Sequence, residues 1–256
     1  MSKFSSEPHM QCEFFAQREN IFSKVECFHG YEIFGKNYER IENYYKGIEY
    51  PCEGGYIDFL LERKSKLLIV ELKHNTKQPA GVLCQIYLYF LKLKKEFKDK
   101  EISIVVIYGD SPCKSDINEL KLAMLAKGRE IKYIKRDENL ELEKQIKKEY
   151  PFPEYKLEKE GGFFLIKHKN ELLVICENSG YKGFGQISWL IGKKIEDEPR
   201  YKVSGVIFGK KNKNEKRLIK AIDEFNKNKD IIANIDVEFR IWYNNTIKFD
   251  LIPTKP

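Results

Sequence analysis

Two apolar runs joined by a short polar turn constrain this 256-residue chain more than any other feature. The first is Tyr56-Ile57-Asp58-Phe59-Leu60-Leu61, preceded by Gly54-Gly55. The second is Leu67-Leu68-Ile69-Val70-Glu71-Leu72-Lys73. Short apolar runs bounded by turn signals read as buried strands. The turn near Lys64–Lys66 makes these two strands neighbours. Apolar residues at helical spacing follow from Val82 to Lys95. A strand at Ile104–Gly109, a helix over Ile117–Lys127 and a strand at Ile131–Ile134 come next. This alternation predicts an α/β protein with a mixed central sheet flanked by helices.

Three ionisable groups interrupt the two apolar strands. Residues i and i+2 of a strand share a face, so Glu71 and Lys73 point the same way. If the strand bearing Asp58 pairs beside them, all three converge. Such groups rarely enter apolar strands unless they are paired or bind a metal. Asp58 and Glu71 are hard oxygen ligands suited to Mg2+, with Mn2+ as substitute. Mg2+ usually takes one or two carboxylates plus substrate phosphate and water. The backbone oxygen of Leu72, between the two functional residues, is a third donor. Lys73 is placed to orient a water and to stabilise negative charge. The set points to metal-dependent hydrolysis of a phosphodiester.

The spacing Asp58…Glu71-Leu72-Lys73 resembles the catalytic core of the PD-(D/E)xK, or restriction-endonuclease-like, superfamily. Gln85-Ile86-Tyr87-Leu88-Tyr89 matches the Q-x-x-x-Y element of its RecB-type and NucS-type branches. Ile57 stands where the family name has Pro. The resemblance covers roughly residues 13–110. It implies a Mg2+-dependent nuclease, most simply one acting on DNA. Asp58 and Glu71 would hold the metal, Gln85 would reach into the site from its helix, and Tyr89 would support that helix or touch substrate. Relatives often place a Glu from the first helix near the metal. Glu19 is the expected counterpart, with Glu26 next. A nucleic-acid-binding or assembly protein that keeps the fold without catalysis is the rival reading, as is a nuclease acting on RNA or branched DNA.

The same order of elements recurs about 105 residues later. Gly161-Gly162, Phe163–Ile166, a turn near Lys169-Asn170, Leu172–Ile175, a segment with Gln186, Val203–Gly209, a helix over Glu215–Asn228 and Asp236–Tyr243 repeat the first half. Matching the apolar words sets Ile107-Tyr108-Gly109 beside Ile207-Phe208-Gly209. It puts Cys176 opposite Glu71, Asn178 opposite Lys73, Leu165 or a neighbour opposite Asp58, and Gln186 opposite Gln85. The expectation is a nuclease domain over 1–150 and a degenerate, nuclease-like lobe over 151–256. That lobe would bind nucleic acid or dimerise, making an internal pseudo-dimer or a homodimer. Pro151-Phe152-Pro153 is the natural joint, because Pro cannot continue a helix.

The formal charge of +7 permits a polyanionic partner. Most of the excess lies after residue 150, much of it in Lys210–Arg217. Tyr38, Tyr44, Tyr45 and Tyr50 interleave with Lys36, Arg40 and Lys46, a mix that suits bases and phosphates. No apolar run approaches the roughly 18–20 residues that span a bilayer, and the N-terminus lacks a signal-peptide pattern. The six cysteines are scattered without zinc-site spacing. Reduced thiols in a cytoplasmic protein are the expectation.

Overall fold

The computed structural model describes residues 4–35, 47–52, 55–74, 79–110, 113–151, 156–178, 181–210, 215–243 and 246–248. The chain opens with helices α1 (Glu7–Ala16) and α2 (Arg18–Lys24). Strands β1 (Glu32–Ile33), β2 (Ile48–Cys52), β3 (Gly55–Arg63) and β4 (Lys66–Lys73) follow. Then come α3 (Val82–Glu96), β5 (Glu101–Tyr108), α4 (Lys114–Leu125), β6 (Ile131–Lys135) and α5 (Leu142–Glu149). The later part contains β7 (Lys156–Glu160), β8 (Phe163–His168), β9 (Glu171–Glu177), α6 (Tyr181–Asp197) and β10 (Lys202–Gly209). It closes with α7 (Glu215–Lys227), α8 (Lys229–Ala233), β11 (Val237–Tyr243) and β12 (Thr246–Lys248). The protein is α/β, with mixed sheets flanked by helices. No described helix is long and apolar enough to cross a membrane.

The chain divides into two compact units. Residues 1–77, 85–117 and 235–256 make the first, and residues 78–84 and 118–234 the second. A cut at residue 150 does not separate them. In the first unit's sheet, β3 pairs antiparallel with β4, β4 parallel with β5, and β5 parallel with β11. In the second, β8 pairs antiparallel with β9, β9 parallel with β10, and β10 parallel with β6. The strand that follows β5 in sequence therefore joins the second sheet, and the strand that follows β10 joins the first. Pro151 ends α5 as expected, but residues 152–155 of the proposed joint lie outside the described residues.

The two sheets follow one register. Each hairpin turns through two residues, closed by Arg63–Lys66 in one and His168–Glu171 in the other. The first turn residues, Lys64 and Lys169, both have φ +51°, an uncommon left-handed conformation for residues other than glycine. They lie 105 positions apart. The strand after the helix begins opposite Lys66 at Glu101, and opposite Glu171 at Lys202. Ile104 pairs with Val237, and its counterpart Gly205 pairs with Ile131. This register corrects the sequence alignment by one place in β5 and β10, so that Ile207, not Val206, corresponds to Val106.

In the first unit, one face of the sheet is packed by α1 and α2. Met10, Phe14, Ile21 and Val25 meet Phe59, Leu61, Leu68, Val70, Leu72, Val105, Ile107 and Trp242, all buried. Phe14 is the hub, with ring centroids 4.8 Å from Phe59 and 6.0 Å from Trp242. Offset and edge-on aromatic pairs of this kind add to plain burial. The helical stretch breaks at Gln17 between α1 and α2, and Phe14 is fully buried. Ser6 caps α1 through His9 N–H, and Pro8 occupies its first turn.

In the second unit, Ile146 of α5 packs on Phe164, Ile166, Ile175, Val206 and Phe208. On α6, Lys194 is buried and satisfied by Glu160 at 2.8 Å, with Glu198 at 3.6 Å. Gly192 lets α6 approach α4 closely, since an added Cβ would fall 1.7 Å from the Leu122 carbonyl oxygen.

Candidate functional site

The β3–β4 ladder runs regularly to the pair Phe59–Val70. The next residues along the two strands are Asp58 and Glu71. There a side chain enters the ladder: the Leu72 N–H donates to Asp58 Oδ2 at 2.6 Å. Gln11 of α1 donates to Oδ1 of the same carboxylate. The other neighbour of β3 is irregular at the same level. Ile48–Phe59 and Tyr50–Ile57 pair, but Glu49 between them has φ +48°. A non-glycine residue in this region costs energy, and such outliers cluster at functional sites.

On the opposite edge of β4 the ladder is intact, with the Gly109 N–H donating to the Lys73 carbonyl at 2.8 Å. Successive residues of a strand aim their backbone groups at alternate edges. The Leu72 carbonyl therefore shares the edge of its N–H and faces Asp58.

Glu71 is almost fully buried, 2% exposed. Its Oε1 meets Lys73 Nζ at 2.7 Å. Its Oε2 is buried with no hydrogen-bond partner among the described residues. Lys73 Nζ also lies 3.4 Å from Glu7 Oε1 on α1. Burial pushes the Glu71 carboxyl up to about 8, against the pull of Lys73. Burial raises Asp58 too, opposed by the Leu72 N–H and by Lys73. For Lys73, burial favours the neutral amine, but Glu71 and Glu7 outweigh it and the net shift is upward. Lys73 therefore stays charged, and Glu71 is the member of the pair that titrates near neutrality.

The buried, partnerless Glu71 oxygen is what a divalent cation would satisfy. An unsatisfied buried carboxylate oxygen is costly. Asp58 Oδ, Glu71 Oε2 and the Leu72 carbonyl form a hard-oxygen set of the kind Mg2+ accepts. Among the described residues no group of three or more His, Cys, Asp or Glu side chains is placed to hold a metal ion. The set fits a cation that keeps open positions for water or substrate.

The Q-x-x-x-Y element divides in its roles. Tyr89 is buried, and its hydroxyl donates to the Tyr56 carbonyl at 3.0 Å. It pins the start of β3, and Gly55 is required there: an added Cβ would lie 2.8 Å from the Tyr89 hydroxyl. Gln85 is half-buried on α3. No hydrogen bond joins it to Asp58, Glu71 or Lys73 among the described residues. Glu19 is not at the site; its side chain is 92% exposed and pairs with Arg18 at 3.9 Å. Glu26 lies in a 3-10 turn, also away from these contacts. Glu7 and Gln11, one turn apart on α1, reach the site instead. The sequence signal for them was the Ser6-Glu7-Pro8 helix start.

In the second unit the hairpin register puts Phe163 at the place of Asp58, rather than Leu165. Cys176 and Asn178 take the places of Glu71 and Lys73. Phe163 and Cys176 are buried, and Asn178 donates to exposed Gln186. Glu177 is engaged by Arg136 Nε at 2.7 Å and Lys210 Nζ at 3.1 Å. Despite burial, these two cations hold its carboxyl below the usual range. Tyr38, Tyr44, Tyr45, Lys36, Arg40 and Lys46 lie outside the described residues, as do residues 211–214 of the basic run. Tyr50 is buried and donates to Glu96 at 3.0 Å. All six cysteines are free thiols.

No family model matches this chain, and neither a curated protein nor a solved structure matches it.

Proposed function

We propose that the first unit is a nuclease of PD-(D/E)xK type, hydrolysing a phosphodiester of nucleic acid, DNA first, with Mg2+ or Mn2+. The observation that carries this reading is the buried, partnerless Glu71 oxygen beside Asp58 and a charged Lys73. Asp58, Glu71 and the Leu72 carbonyl would hold the cation. When bound, the cation lowers the pKa of a water and offsets charge on the phosphate. The chain's own residues do the rest. Gln11 and the Leu72 N–H fix the Asp58 carboxylate. Lys73 remains protonated, so it acts as a donor to the attacking water or to the phosphate oxygens and not as a base. Tyr89 holds the backbone of β3 in register with the site.

The shared hairpin register and the matched pairing of β11 and β6 support a duplicated core whose second copy has lost its ligands. In this reading the second unit is a non-catalytic partner of the first.

Cleavage of single-stranded, duplex, flapped and branched DNA in Mg2+, Mn2+ or EDTA tests the proposal. The native protein is expected to cut with metal and to stop in EDTA. Lys73→Ala and Asp58→Ala are each expected to lose about a hundredfold or more. Unchanged cleavage in either variant, or cleavage that survives EDTA, would sink it.

A further inference from the structure

Tyr56 is the most exposed large apolar side chain among the described residues, 63% exposed. It sits on β3 two positions before Asp58. Alternation puts its ring on the same face as the Asp58 side chain, about 7 Å along the strand. Its backbone is held on both sides. The Tyr89 hydroxyl binds its carbonyl at 3.0 Å, and Pro51 pairs with it across β2. The ring itself takes part in no described hydrogen bond, ring stack or cation contact. An aromatic side chain on a held backbone, open to water on the strand that carries Asp58, is a stacking platform awaiting a partner.

We infer that Tyr56 stacks on an unpaired base next to the phosphate held at Asp58, Glu71 and Lys73, so that the substrate is single-stranded or frayed nucleic acid. This rests on the nuclease reading above. The argument is steric. Within a duplex both faces of every base are already stacked, and the phosphates line the outside. A ring on the rim of a phosphate site then has no base face to meet. A nucleotide released from the helix offers one, and base–aromatic stacking tolerates any base.

The test is fluorescence-anisotropy binding of a short labelled single strand and of the blunt duplex of the same sequence. Native protein, Tyr56→Ala and Tyr56→Phe are compared in EDTA and in Ca2+. Tyr56→Ala is expected to weaken single-strand binding about tenfold or more and to leave duplex binding unchanged. Tyr56→Phe restores the native affinity, because the ring and not the hydroxyl does the stacking. Exposure of the side chain keeps the fold out of the comparison, and a matching thermal transition checks this. Equal losses on single strand and duplex, no loss on either, failure of Phe to restore binding, or no binding of single strand by the native protein would each overturn the inference. If metal-dependent cleavage is absent but the Tyr56 pattern holds, only the hydrolytic reading falls.

Discussion

The metal-free protein loses stability as pH rises from about 5 to 8, and Glu71→Gln removes most of that loss. The Glu71 carboxyl titrates at about 8 in the folded state against a usual 4.5. Between those values the folded state holds a proton that the unfolded chain has released. Stability then falls with rising pH, by at most about 1.4 kcal/mol per unit. For a chain of this size that is roughly 2–4 °C in Tm per unit. Asp58 is raised as well and keeps a smaller slope of the same sign in the variant. Glutamine cannot ionise, so its curve is flatter. The second half of the expectation concerns metal. A cation at Glu71 must displace its proton, so Mn2+ or Mg2+ raises the Tm of the native protein more at pH 8 than at pH 6. Glu71→Gln gains little at either pH. Thermal melts across pH, with and without metal, decide the matter. Parallel pH curves for native protein and variant, or equal metal stabilisation of both, would remove Glu71 from the site.

A chain cut after residue 150 fails to fold, and the two pieces made together recover a cooperative fold. The first sheet needs β11 beside β5, and the second needs β6 beside β10. Residues 1–150 hold β6 but not β11, and residues 151–256 hold the reverse. The first piece would expose Val105, Val106 and Ile107 along an unpaired β5 and lose Trp242 from the aromatic cluster. An apolar open edge of this kind leads to aggregation. Circular dichroism melts of each piece should show no cooperative transition. Co-expression with a tag on one piece should bring down the other, with native-like melting. A sharp transition in either piece alone would contradict the strand pairings.

Much of the fold was legible. Strands β3–β6 and β8–β11 and helices α3, α4 and α7 fall within a few residues of their apolar runs, because period-2 and period-3.6 patterns mark buried faces locally; β1, β2, β7, β12 and α8 carried no such signal. The pairing of Glu71 with Lys73 in the candidate site was legible for the same reason: the two stand out only because Leu67–Val70 beside them is apolar. What failed was long-range. Nothing in the composition of β6 says which of two similar parallel edges it joins, so the division at residue 150 missed the exchange. The word match at Ile107 and Ile207 slipped by one, since similar apolar triplets fit either register until the hairpin turn fixes it. Glu7 and Gln11 were missed because a polar pair on an amphipathic helix looks like an ordinary solvated face. Gln85 rests on the motif match alone: it is half-buried on α3, and among the described residues no hydrogen bond ties it to the carboxylates.

The reciprocal placement of β6 and β11 also sets a timetable for synthesis. β5 is made about 130 residues before β11, the strand that covers its edge. At translation rates of roughly 5–20 residues per second, that edge waits several seconds or more on the ribosome. β6 emerges early and must wait in turn for β10. Neither sheet can close domain by domain as the chain appears. The nascent protein therefore depends on whatever shields a bare β5 in the interval, and slow codons between Tyr108 and Val237 would lengthen its exposure to aggregation.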